Sequence, residues 1–133
     1  MNIAARKLAA LERCVDRARN EHGLAGENFR NDFTRQDAAV LNVTRACESA
    51  IDLANMAIRK HRLGIPGDAR ESFALLERGG LVFSDLSARL QRMVGFRNIA
   101  VHHQDLDLDI AESVIRDGLE DLLAFAEGIR SRL

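Results

Sequence analysis

Apolar residues recur along this chain in steps of three and four, the spacing that gathers them on one face of an α-helix. Ile3, Leu8, Leu11, Cys14, Val15 and Ala18 follow it, while Arg6, Glu12, Arg13, Asp16 and Arg17 fill much of the remaining circumference. The pattern predicts a first helix ending near His22-Gly23. In the turn-rich GLAGENFRNDF that follows, Phe29 and Phe33 are expected to pin the connection onto the core. Thr34 with Asp37 three residues later reads as a variant capping box. The second helix is predicted over 34–61, because nothing breaks it before Gly64-Ile65-Pro66-Gly67. It is the longest and is expected to be central. Its stripe of Val43, Cys47, Ala50, Ile51, Ala54 and Ile58 is rich in small side chains that let neighbouring helices approach closely.

A short helix over 69–78 should end at Gly79-Gly80, where glycine tolerates the left-handed conformation of a C-cap. Ser84 is expected to cap a fourth helix whose apolar positions are Leu86, Leu90, Met93 and Val94. A fifth begins near Asp107 or Asp109, and Ile110, Ala111, Val114, Ile115, Leu119, Leu122, Leu123, Ala126, Ile129 and Leu133 keep its apolar face going. The expectation is an all-α, up-and-down bundle of four main helices plus one short helix, forming a single domain over 1–133.

Composition agrees with that picture. One proline, no tryptophan and no tyrosine, with 47% hydrophobic and 29% charged residues, suit a helical globular chain of 133 residues. A formal net charge of −1 gives no global attraction to nucleic acid or anionic membrane, so any RNA contact must be local. Cys14 and Cys47 sit at apolar helical positions without the close Cys/His spacing of a zinc site, and are expected to be reduced core residues. The N-terminus has no uninterrupted apolar stretch resembling a signal peptide, and no segment approaches the length of a membrane span. A cytoplasmic protein is expected.

Two features ask for chemistry. Arg45, Glu48, Asp52 and Asn55 share one face of the second helix, either as solvated pairs within it or as the wall of a polar cleft. In the fourth helix, the apolar stripe continued by one turn lands on Arg97, and a lone arginine there needs a partner. His102 lies five residues on, about 140° round the axis if the helix persists, and both can line one cleft only if it ends near Val101 or His102. Asn98, four residues before His102, would then sit beside it. An arginine that forks onto phosphate and a histidine that moves a proton suit phosphodiester cleavage without a metal. RNA supplies its own 2′-hydroxyl as nucleophile, so no cofactor is required. The plainer alternative keeps His102 and His103 at a helix C-terminus and pairs Arg97 with an acid of the second helix. A divalent metal on His102, His103, Asp105, Asp107 and Asp109 is disfavoured, because the last two read more simply as helix-capping residues. Loop signatures of nucleotide, zinc-protease and acyl-transfer enzymes are absent.

The string Arg97-Asn98-Ile99-Ala100-Val101-His102 resembles the R-N-x-x-x-H core of the HEPN superfamily, and Met93-Val94-Gly95-Phe96 is similar to the lead-in of its HepT-like branch. Further landmarks resemble HepT-type toxins: Asp32-Phe33-Thr34, Gln36-Asp37, Leu41-Asn42, Leu63-Gly64-Ile65-Pro66, Ser72-Phe73 and the run from Leu106 to Ile110. The resemblance implies a homodimer whose R-x4-H segments face each other across a shared cleft. It also implies a ribonuclease toxin encoded with an MNT-type nucleotidyltransferase antitoxin. Under it, Arg97 binds and polarises the scissile phosphate and His102 transfers the proton. Asn98 and His103 support them, and Arg45, Glu48 and Asp52 line or brace the cleft.

One departure matters. The family pattern continues H-x-Y, and the antitoxin is thought to transfer AMP to that tyrosine, whereas here His102 is followed by His103-Gln104. The run from His103 to Leu108 is also one residue shorter than the family's. Three consequences stay open: restraint by a binding partner alone, an altered or inactive variant that only binds a nucleotidyltransferase or nucleotide, or a modified tyrosine that the written sequence omits.

Overall fold

In the computed structural model, residues 2–100 and 106–133 are described. Helix α1 spans Ile3–Ala25, three residues beyond His22, with Asn2 accepting a capping hydrogen bond from the Ala5 amide at 2.7 Å. A short 3₁₀ turn, Gly26–Asn28, leads towards α2, Phe33–His61. Its cap is Asp32, whose side chain accepts from the Arg35 amide at 3.1 Å, so the expected Thr34/Asp37 box does not form. Thr34 is already inside the helix, past the half-extended position from which a side chain can reach the unpaired amides. Of the two phenylalanines expected to anchor this connection, Phe29 is buried and Phe33 is exposed.

Helix α2 ends at Arg62, which takes the left-handed conformation (φ 54°) ahead of Gly64. Helix α3, Ala69–Arg78, is capped by Asp68, and the chain reverses at Gly80 (φ 79°), where the Leu81 amide reaches back to the Leu76 carbonyl. Helix α4 spans Ser84–Ala100. Ser84 is its first residue rather than its cap, and the Asp85 carboxylate accepts from the Leu86 amide instead. Asp107 caps α5, Leu108–Ser113, by accepting from the Asp109 and Ile110 amides. The column continues through a π turn, Val114–Gly118, into α6, Leu119–Ile129. The steps of four from Ala111 to Ile115 to Leu119 would drift about 80° round an α-helix, and the wider π turn takes up that drift.

Four long helical columns and one short helix therefore carry the chain, with no strand among the described residues. Helix α2 is central and packs against α1, α3, α4 and α6. Its predicted stripe is buried throughout, as are Phe73 and Phe125, whose rings meet edge to face at 5.4 Å. Cys14 and Cys47 are buried free thiols. No helix of the described residues is long and apolar enough to cross a membrane.

A polar corner fixes where α5 begins. His22 stacks edge-on against Phe29 at 4.8 Å and its Nε2 meets Glu112 Oε2 at 2.8 Å, while Arg30 pairs with Asp109. The hydrogen bond with His22 holds the Glu112 carboxyl below its ordinary range, despite partial desolvation. These contacts tie the start of α5 to the α1–α2 connection.

Candidate functional site

Arg97 lies in the last described turn of α4. Its side chain is 21% exposed, and Nη1 donates to Glu48 Oε1 of α2 at 2.7 Å. Its Nε is buried and has no acceptor among the described residues. The acidic partner is therefore found on α2, and the ion pair crosses from one helix to another. Glu48 is 49% exposed, so its carboxylate remains open to water and the pair is not sealed.

Asp52 and Asn55 of that α2 face also reach across to neighbours, while Arg45 is exposed. Asp52 accepts from Lys7 Nζ of α1 at 2.7 Å, and Asn55 Oδ1 accepts from the buried Ser72 hydroxyl of α3 at 2.7 Å. Solvated pairs within α2 are thus not what forms, because a central helix has partners on both flanks. Glu48 touches Arg97, whereas Asp52 is engaged by α1. Asn98 is exposed and lines, with Arg97, a cleft of about 380 Å³ whose other walls are Asp68, Ala69, Arg70 and Val94. His102 and His103 lie outside the described residues, as does Asp105.

Beneath Arg97 sits Cys47. Burial pushes its thiol up to about 12, against the pull of the Arg97 charge, with Glu48 adding to the rise. A thiol so raised is not a nucleophile near neutral pH. Asp107 is committed to capping α5 and Asp109 to Arg30, which leaves neither as a ready metal ligand. Among the described residues, no cluster of three or more His, Cys, Asp or Glu is placed to hold a metal ion.

Sequence reasoning missed two parts of this region. Arg70 joins the cleft from α3, and the signal for it was its place in the first turn, where a cation opposes the helix dipole. Two grooves of mixed apolar and polar lining also meet at Leu106. One, about 510 Å³, is lined by Phe96, Ile99, Ile110 and Val114. The other, about 760 Å³, is lined by Val40, Leu41, Ala100 and Leu108. Ile99 is 48% and Ile110 53% exposed. Ile110 was expected on the buried face, but it sits one residue off the Ala111–Ile115–Leu119 line.

A family model described as ribonuclease HepT-like matches residues 7–129. The mRNA nuclease HepT of Shewanella oneidensis is 44% identical over 131 residues, covering 98% of either chain. Among solved structures, a toxin–antitoxin with AMP-PNP superposes with a TM-score of 0.93 at 43% identity, covering 98% of this chain and 99% of that one. The tri-AMPylated Shewanella oneidensis HEPN toxin in complex with MNT antitoxin gives 0.92 at 44% identity, with the same coverage.

Proposed function

Because the chain belongs to the ribonuclease HepT-like family, we propose that it is the toxin of a HepT/MNT-type pair and cleaves RNA without a metal through Arg97 and His102. The observation that carries this reading is Arg97 itself. It is a largely enclosed guanidinium, held by Glu48 on one nitrogen, at the wall of a polar cleft in the last described turn of α4.

The chemistry follows from those groups. The 2′-hydroxyl of the RNA attacks the adjacent phosphorus and the 5′-oxygen leaves, giving a 2′,3′-cyclic phosphate and a free 5′-hydroxyl. Arg97 stabilises the charge gathering on the non-bridging oxygens. His102 moves the proton between the reacting oxygens and solvent. Asn98 and His103 orient these groups, Glu48 aims the guanidinium, and Asp52 braces α1 against α2 behind it.

The protein acts in the cytoplasm as a homodimer. Ile99, Ile110 and Leu41 are exposed in the two grooves that meet at Leu106, where a second copy would complete the cleft. Its partner is an MNT-type antitoxin, as in the Shewanella complex. This chain has no tyrosine, so AMP transfer to the family's usual tyrosine is impossible for the sequence as written. Restraint then comes from the partner's binding alone.

The test is to incubate the purified chain with end-labelled single-stranded RNA in EDTA and analyse the product ends. Cyclic phosphate termini are expected. Intact RNA with a folded protein would instead favour a non-catalytic module that binds the nucleotidyltransferase, a reading that the missing tyrosine also favours. Intact mass of the expressed protein shows whether it carries AMP or an unwritten residue.

A further inference from the structure

We infer that Arg70, which no motif of the family reading includes, is a second RNA-phosphate contact of the Arg97 cleft, seated there by Gly95. The inference rests on the ribonuclease reading for its ligand, but on separate residues for its geometry. Arg70 is the second residue of α3, and Gly95 lies two residues before Arg97 on α4. A Cβ at position 95 would stand 2.8 Å from Arg70 Nη2, closer than a side-chain methyl ever sits, so the guanidinium occupies the space that glycine leaves over α4. The same cleft is lined by Arg70, Arg97 and Asn98.

Nothing about the helix favours a cation at this place. The first turn of α3 carries the positive end of the dipole. The two nearest acids are spent on backbone amides: Asp68 accepts from the Glu71 N–H at 2.8 Å, and Glu71 accepts from the Gly67 N–H at 3.2 Å. Arg70 makes no ion pair among the described residues, while Arg97 has its carboxylate in Glu48. Among the described residues, the cleft thus holds one guanidinium that is aimed by an acid and one that has none. The first suits the reacting phosphate. The second, exposed at the rim, suits a neighbouring phosphate of the same strand, where an arginine adds affinity and register without entering the chemistry.

The experiment uses the full chain and two RNAs. Binding is read with a labelled 2′-O-methyl oligonucleotide, which lacks the nucleophile, and turnover with the unmodified RNA. Arg70→Ala is expected to weaken binding about tenfold and to lower the slope of log affinity against log salt by about 0.7, the value for one phosphate of a single strand. It should raise KM while leaving kcat within about twofold. Arg70→Lys should keep the salt slope, because the charge remains. Gly95→Ala moves only the flexible end of Arg70 and keeps its charge, so it should weaken binding less than Arg70→Ala, keep the salt slope and add nothing in the Arg70→Ala background. Unchanged affinity and salt slope in Arg70→Ala, with cleavage intact, would overturn the assignment and spare the ribonuclease reading. Absence of cleavage in every protein, with the Arg70-dependent slope still present, would remove the ribonuclease reading and uphold this contact.

Discussion

The Arg97–Glu48 pair joins a largely enclosed guanidinium to a half-exposed carboxylate, and the proposed chemistry depends on it. An exposed surface pair contributes little to stability, on the order of 0.2–1 kcal/mol, so the half-exposed Glu48 is better understood as holding a guanidinium in one orientation. Glu48→Gln should therefore lower kcat by about tenfold to a hundredfold with a small change in thermal midpoint, since small misplacements of a catalytic group are expensive. Equal kcat in the two proteins would show that Glu48 does not aim Arg97. The neighbouring Cys47 gives a second prediction. With its thiol up at about 12 and both cysteines buried, a thiol reagent at pH 8 should leave the native protein largely unmodified and titrate two thiols only in denaturant. Rapid native labelling at Cys47 would contradict the packing described around Arg97. Arg97 itself was legible in the sequence, because an arginine at the end of an apolar stripe signals an internal partner. Arg70 was not, because its placement depends on Gly95 of another helix.

The helices themselves were largely written in the apolar spacing, and α3 falls at its predicted 69–78. Their caps were less legible. Asp32 and Thr34 both carry side chains that can cap α2, and which one does so depends on which residue keeps a non-helical backbone rather than on side-chain type. The π turn at Val114–Gly118 was also hidden, since a step of four between apolar residues fits an α-helix over any short window. Of the two aspartates expected at the start of α5, Asp107 is the cap and Asp109 the partner of Arg30. Asp107→Ala should cost about 1 kcal/mol in urea unfolding, with Asp109→Ala costing less. The order matters for function, because Asp107 fixes the helix that receives the chain from the R-x4-H segment. A larger loss for Asp109→Ala would reverse the assignment of the two roles.

Taken whole, the bundle places Arg97 and its polar cleft near the end of α4, with the exposed Ile99 beside them. The two grooves share Leu106, and a second copy packed over them is the arrangement proposed to complete the cleft. Ile99→Glu should accordingly shift the protein from dimer to monomer in sedimentation at micromolar concentration, leave its helicity intact and reduce RNA cleavage with it. A mutant that stays dimeric would place the subunit contact elsewhere. The family and the all-α fold could be read from the sequence because landmarks are spread along the whole chain. The means of restraint could not, because the residues after His102 depart from the family pattern at the place where its tyrosine stands. The most direct test compares cleavage of one RNA in EDTA by the parent protein, Arg97→Ala and His102→Ala, each shown to be folded and dimeric. The account predicts that the parent cleaves and that each substitution lowers the rate by at least about a hundredfold. Undiminished cleavage by both variants would contradict it.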